Sequence, residues 1–309
     1  MKIFLTGATG YTGGVVLNHL LAAGHEVAGI ARRLPESALV NRKGLLWIEG
    51  DFGDGALIET LARQADGVLH IGASHDKEME RLDGIVIRSV ADALAGSGRV
   101  FVSTSATPVY GDTGNDPRDE HEPIEHPHPL RAWRMRHDQE VVKLVERDIR
   151  GVVIRPGYIY GQSGGLLSEA IRTARLTGKA RYIGDGRRAS STVHVDALAK
   201  LYILALENNS ARGIYNAASD EVVFSSDICE IIAALYGPGI VAQAWPIEEA
   251  RKTFGEYADL ANITCIASSV RARQELGWLP VGTTLLGELV GGSYRIGPLQ
   301  DYALSRRAT

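Results

Sequence analysis

Residues 2–33, "KIFLTGATGYTGGVVLNHLLAAGHEVAGIARR", read as strand, glycine turn, helix and strand. Ile3, Phe4 and Leu5 form a short apolar run, and Val15, Val16, Leu20 and Leu21 recur at helical spacing behind Gly7, Gly10 and Gly13. Gly24 ends the helix, and "EVAGIA" supplies a second apolar strand. Glycines placed between a strand and a helix let the backbone approach a pyrophosphate, and the free N–H groups of the helix N-terminus hold the anion. Because the glycines lie inside a complete strand–helix–strand unit, they predict dinucleotide binding rather than a turn alone.

The end of the second strand distinguishes two dinucleotides. An acidic residue there would bond the ribose 2′-OH of NAD. Ala31, Arg32 and Arg33 stand there instead, and a guanidinium suits a 2′-phosphate. The expected cofactor is NADP(H), with NAD(H) as the alternative.

The alternation continues along the chain. "LLWIEGDFGD" (45–54), "DGVLHIGAS" (66–74), "GRVFVSTSA" (98–106) and "RGVVIRPG" (150–157) read as further strands with helical segments between them. This pattern predicts an α/β fold, a doubly wound parallel (Rossmann) sheet with helices on both faces. After Gly161 the texture changes, and "GQSGGLLSEAIRTARLTGKARYIGDG" contains a helix that leaves the sheet. In "SSDICEIIAALYG" (225–237), Ser226 reads as an N-cap before an apolar stripe of Ile228, Ile231, Ile232 and Leu235.

With 309 residues, 45% of them hydrophobic and 23% charged, the chain can bury a large core. A net charge of −4 argues against a nucleic-acid partner. No apolar run reaches the roughly 20 residues that span a bilayer, so no membrane role is expected. Met1 leads straight into a strand-like segment with no room for a signal peptide. Two cysteines, Cys229 and Cys265, make no disulfide framework, and a cytoplasmic location is expected.

From Lys2 to about Pro280 the chain resembles the extended short-chain dehydrogenase/reductases, the group with the NAD-dependent epimerases and dehydratases. The resemblance is carried by "TGATGYTGG", "GDFGD", "VLHIGAS", "STSATPVYGD", "VVIRPGYIYG", "GDGRRASSTVHVDALAKLYILALE", "GIYNAAS" and "RQELGWLP". It implies a dinucleotide-binding domain of residues 1–161 plus about 187–217. A smaller substrate lobe would follow, of residues about 162–186 plus 218–309. It also implies cofactor contacts from Gly7, Thr9, Gly10, Tyr11, Thr12 and Gly13. Asp51 and Phe52 would flank the adenine, and Ile71, Gly72 and Ala73 would lie beside the nicotinamide-side ribose. Pro156, Gly157 and Tyr158 would lie beside the nicotinamide. Ser105 falls at the catalytic serine position, with Pro108 as an insertion after it. His194 and Asp196 are expected to be structural.

Two departures stand out. The family carries YxxxK with an acidic residue four after the lysine. With Glu140 taken as that acid, Arg136 occupies the lysine place and Ala132 the tyrosine place, and residues 129–139 contain neither Tyr nor Lys. Members that bind sugar nucleotides usually carry an arginine shortly before the Val-His step, where this chain has Ala189, Ser190, Ser191 and Thr192. The pattern resembles the atypical subgroups that lose the tyrosine–lysine pair.

Arg136 could keep the charge of the lysine but cannot donate a proton near neutral pH. The expected catalytic set is therefore Ser105, Arg136, Tyr158 and His137, with Trp133, Arg136, His137 and Glu140 sharing one helix face. Tyr110 is expected beneath the site. "DEHEPIEHPHP" (119–129) holds His121, Glu122, His126 and His128, but its prolines fix no ligand geometry. It reads as a substrate-covering loop, and no metal is expected. The resemblance also implies a homodimer built on helices near 76–96 and 131–148. The expected function is an NADP(H)-dependent oxidoreductase or epimerase-like enzyme acting on a small organic substrate. The alternative is a non-catalytic NADP(H)-binding regulator or redox sensor.

Overall fold

Short apolar runs separated by amphipathic helices leave one economical arrangement, a buried parallel sheet covered on both faces. The computed structural model describes residues 1–35, 42–73 and 78–295. Its strands are β1 (Lys2–Thr6), β2 (Glu26–Ala31), β3 (Leu45–Glu49), β4 (Gly67–His70), β5 (Val100–Thr104), β6 (Arg150–Pro156), β7 (Tyr158–Tyr160), β8 (Lys179–Ile183), β9 (Ala189–His194), β10 (Gly213–Ala217), β11 (Val222–Phe224) and β12 (Val241–Trp245). Its helices are α1 (Tyr11–Ala22), α2 (Gly55–Gln64), α3 (Met79–Leu94), α4 (Ala132–Val142), α5 (Gly165–Thr177), α6 (Val195–Glu207), α7 (Ser225–Leu235), α8 (Ile247–Phe254), α9 (Tyr257–Leu260), α10 (Val270–Leu276) and α11 (Leu285–Gly291).

Seven strands form one sheet in the order β10-β6-β5-β4-β1-β2-β3, all parallel. β10, the segment "GIYNA", adds a strand at the β6 edge that the apolar pattern did not mark. Val16, Leu20, Leu198 and Tyr202 of α1 and α6 fill one face, joined by Trp278. Ile58, Val86, Val90 and Val141 of α2, α3 and α4 fill the other. The chain reverses its direction of travel across the sheet between β1 and β4. Crevices beyond the carboxyl ends of strands at such a point are where ligands bind in open α/β sheets.

The later chain adds two small sheets, β11-β9-β7 and β12-β8. Around them Leu167, Ile171, Cys229, Ile232, Leu285 and Leu289 make a separate apolar cluster. The N-cap of α7 is Phe224, not Ser226. Ser226 lies inside the first turn, and its N–H donates to the Gly186 carbonyl. Of the expected stripe, Ile232 is buried beside Cys229, and Ile228 and Ile231 pack partly against the same cluster, while Leu235 is exposed. No helix among the described residues is long and apolar enough to cross a membrane. Part of the expected 76–96 segment and the tail after residue 295 lie outside the described residues.

Candidate active site

The glycine turn is built for contact with something flat and close. Gly7 has φ +76°, and a Cβ on it would lie 2.5 Å from the Gly72 amide nitrogen. A Cβ on Gly13 would lie 2.0 Å from the Gly7 carbonyl oxygen, so α1 seats directly on the turn. Gly10 caps α1 without any side-chain hydrogen bond. Among the described residues, no side chain caps the first N–H groups of α1, which suits them to an outside acceptor. This cradle fits a pyrophosphate. Thr9 and Gly10 are exposed at the turn, and Tyr11 and Thr12 are half-buried. The Tyr11 phenol reaches away from the turn and donates to the Gly161 carbonyl at 2.7 Å.

Around the turn, Ile71 and Gly72 are half-buried and Ala73 is exposed where β4 ends. The Gly72 N–H donates to Thr6 Oγ1 at 3.2 Å. Arg32 and Arg33 are exposed just past β2. Asp51 accepts from the Gly53 N–H at 2.7 Å. Phe52 makes an edge contact with His70, ring centroids 6.1 Å apart.

Ser105 follows the end of β5 and is 5% exposed. Its Oγ donates to Oδ2 of Asp138 at 2.9 Å, and Arg155 Nε donates to the same oxygen at 2.8 Å. Asp138 reaches this depth because α4 lies hard against β6, where a Cβ on Gly151 would stand 2.0 Å from the Val141 carbonyl. Burial pushes the Asp138 carboxyl up from its ordinary value, against the opposing pull of Arg155, Ser105 and Arg134. Tyr110 lies beneath, its ring 5.0 Å from the Arg155 guanidinium and its hydroxyl donating to Asn216 at 3.0 Å. The Pro108 insertion is taken up in a 3-10 turn, Thr107–Tyr110.

The sheet-facing stripe of α4 is Arg134, Asp138 and Val141, at i, i+4 and i+7. Arg134 is nearly buried. It donates to the Thr104 carbonyl at 3.1 Å, lies 3.6 Å from Asp83 and stacks on Trp133. Arg136 is exposed and pairs with Glu80 at 2.6 Å. Glu140 is exposed as well. The expectation that Arg136 faces the cleft is therefore corrected: Glu140 was the wrong anchor, because the acid that the fold buries is Asp138. Counting back from Asp138 gives Arg134 four residues earlier and Leu130 eight earlier, the latter in a 3-10 turn ahead of the helix. His137 also turns from the sheet toward α3, with its ring edge on Trp133 and near Gly84. Burial lowers its pKa, and its Nδ1 has no hydrogen-bond partner among the described residues. Arg134 and Asp138 were missed, although an alternative i, i+4, i+7 reading ending at apolar Val141 would have marked them.

Gly157 lies beyond β6, with its N–H on the Ala217 carbonyl, and Pro156 is buried. Tyr158 is half-buried and packs with the second apolar cluster. Burial raises its pKa well above the ordinary phenol range. His194 caps α6 through its Nδ1, and Asp196 bonds His19 and Gln162. In the 119–129 loop, Glu122 pairs with Arg118, and His128 accepts from the Leu130 N–H.

Residues 3–218 match the model of the NAD dependent epimerase/dehydratase family. The chain belongs to that family. The family is one of enzymes, and this chain carries its parallel sheet and its glycine turn. A protein of Schizosaccharomyces pombe with no assigned activity is 29% identical over 300 residues, covering 95% of this chain and 100% of that one. A UDP-glucose 4-epimerase of Corynebacterium glutamicum is 26% identical, with 92% of each chain covered. Among solved structures, the Thermus thermophilus UDP-glucose 4-epimerase complex with NAD superposes with a TM-score of 0.76 at 20% identity, covering 95% of this chain and 98% of that one. At that identity the likeness speaks for the fold. The inward face of α4 sets Arg134 and Asp138 one turn apart, with Leu130 in the 3-10 turn before them.

Proposed function

We propose that the chain is an NADP(H)-dependent oxidoreductase or epimerase-like enzyme that acts on a small organic substrate with an altered proton-transfer site. The observation that carries this reading is the uncapped α1 N-terminus behind Gly7, Gly10 and Gly13, at the sheet's switch point and on the same strand-end edge as Ser105. The first-turn amides of α1 would hold the pyrophosphate, Asp51 the adenosine side, and Ile71–Ala73 with Pro156–Tyr158 the nicotinamide side. Arg32 and Arg33, exposed past β2, would meet a 2′-phosphate. When bound, the dinucleotide supplies hydride chemistry. Arg134, rather than Arg136, would keep positive charge beside the nicotinamide ribose. Leu130 offers no proton, and arginine stays charged throughout the working range.

The substrate side argues for a small molecule without a nucleoside diphosphate. Ser191 and Thr192 are buried in β9, where they bond Ala267 and Ser219, and Arg187 and Arg188 are exposed outside that strand. The division into a dinucleotide domain and a substrate lobe belongs to this reading, with Tyr158 at their junction. The second reading is a non-catalytic NADP(H) sensor. Leu130 in the tyrosine place favours it. The deciding experiment measures NADPH and NADH binding and then oxidation of the bound cofactor across a panel of ketones, aldehydes and 4-keto sugar nucleotides. Turnover of a small carbonyl compound supports the enzyme reading. Tight binding with no turnover across the panel supports the sensor.

A further inference from the structure

Ser105 is locked to a buried acid. Ser105, Asp138 and Arg155 are 5%, 4% and 2% exposed, and both Ser105 Oγ and Arg155 Nε donate to Asp138 Oδ2. A serine hydroxyl has one proton and two lone pairs. While Asp138 is ionised, that proton is committed to the carboxylate, so Ser105 has only lone pairs left to offer another partner. Once Asp138 is protonated, the carboxyl can donate to Ser105, and the serine proton is free to point outward. Leu130 and Arg134, the residues in the tyrosine and lysine places, supply no proton at all.

We propose that Asp138 is the proton reservoir of the site, exchanging a proton with the substrate through the Ser105 hydroxyl. This rests on the oxidoreductase reading above. Ser105 is then the catalytic residue, and Asp138 is a positioning residue that acts through it. In the oxidising direction the substrate O–H bond breaks and its proton passes to Ser105 Oγ, while Ser105's own proton passes to Asp138 Oδ2. The serine O–H bond is re-formed. When bound, the oxidised nicotinamide dinucleotide would supply the hydride acceptor that takes the electron pair of the substrate C–H bond as the carbonyl forms. Reduction runs the same transfers backward, with protonated Asp138 as the source. Ionised Asp138 favours alcohol oxidation, and protonated Asp138 favours carbonyl reduction.

The surroundings support a carboxyl that titrates in place. Burial raises it, while Arg155 and Ser105 stabilise its anion. The ionisable groups about it are Arg155 from β6, Arg134 from α4 itself, Asp83 from α3 held by Arg134, and Tyr110 beneath Arg155. Tyr110 is raised by burial and the arginines stay charged through the working range, so among Arg155, Arg134, Tyr110 and Asp138 the carboxyl is the group that changes charge there.

The test uses the full chain with NADPH or NADH in two arms. Asp138→Asn strands Arg155 as a buried unpaired charge and can unfold the protein, so Ser105 variants carry the experiment. In the first arm, carboxyl-labelled aspartate is titrated by NMR. One resonance should titrate above the usual aspartate range and move higher still in Ser105→Ala, which removes a bond to the anion. In the second arm, kcat is measured against pH for ketone reduction and for oxidation of the matching alcohols. Reduction should fall and oxidation rise through that same titration. Ser105→Ala should lower kcat on the order of 10²-fold and abolish this pH dependence, and Ser105→Thr should restore much of both. Turnover with a flat pH profile, or a profile that survives in Ser105→Ala, overturns the relay and leaves the oxidoreductase reading standing. No turnover by any compound overturns that reading and the relay with it, whatever the carboxyl titration shows.

Discussion

Gly13 shows how much of the function rests on a missing side chain. An added Cβ would lie 2.0 Å from the Gly7 carbonyl, backbone that cannot give way without opening the turn. Gly13→Ala is therefore expected to weaken NADPH binding more than tenfold, read by nucleotide fluorescence titration, and to lower the thermal unfolding midpoint of the apo chain as well. Asp196 sets a different dependence. Burial works to raise its pKa, but hydrogen bonds from His19 and Gln162 and the nearby imidazoles bring it below the ordinary aspartate value. A depressed carboxyl contributes stability above its unfolded pKa of about 3.9 and loses it as pH falls through the folded value. Urea midpoints of the unmodified chain should fall more steeply than those of Asp196→Asn as pH drops below about 4. Equal slopes would show that these bonds add nothing to the fold.

At the scale of elements, β1, α1 and β2 were legible in the sequence because three local signals agree there: an apolar strand, spaced glycines and a helical period. β3 to β6 were legible from their apolar runs alone, and β10 was not, because its mixed residues "GIYNA" are buried by the sheet edge rather than by an apolar pattern. Helix α4 was misread by two residues. Its mean polarity is high, with Arg134, Arg136, His137, Asp138, Gln139 and Glu140 broken only by Met135, so no apolar stripe fixes the rotation. What fixes it is tertiary: Gly151 admits the helix to β6, and Arg155 pairs with the acid that then faces inward. That partner lies 17 residues away in the chain, beyond the reach of local pattern. The end of β2 carries its own expectation. Arg32→Ala with Arg33→Ala should erase most of a preference for NADPH over NADH, since each charged phosphate bond contributes about 1.5–3 kcal/mol. Equal affinities in the unmodified chain would remove the argument for NADP(H).

For the whole molecule, α3 and α4 pack side by side and leave a shallow cavity of about 350 Å³ lined by Ile87, Arg88, Ala91, Asp92, Glu140, Leu144 and Arg147. A two-fold pairing on this face would be isologous, each helix pair meeting its own copy. Sedimentation at micromolar concentration is expected to show a dimer that a charge reversal at the exposed Arg88, as in Arg88→Glu, dissociates; a monomeric unmodified chain would exclude that face as an interface. Helix α4 also carries Arg134 and Asp138 toward the sheet, and its register decides which arginine would serve a bound cofactor. The most direct measurement is therefore NADPH affinity, by calorimetry, for Arg134→Ala and Arg136→Ala side by side. Arg134→Ala is expected to weaken binding by about tenfold or more, with Arg134→Lys recovering part of it, while Arg136→Ala, which removes only an exposed pair with Glu80, leaves affinity unchanged. Loss of affinity in Arg136→Ala with Arg134→Ala unaffected would contradict the register, and with it the site built on Asp138 and Ser105.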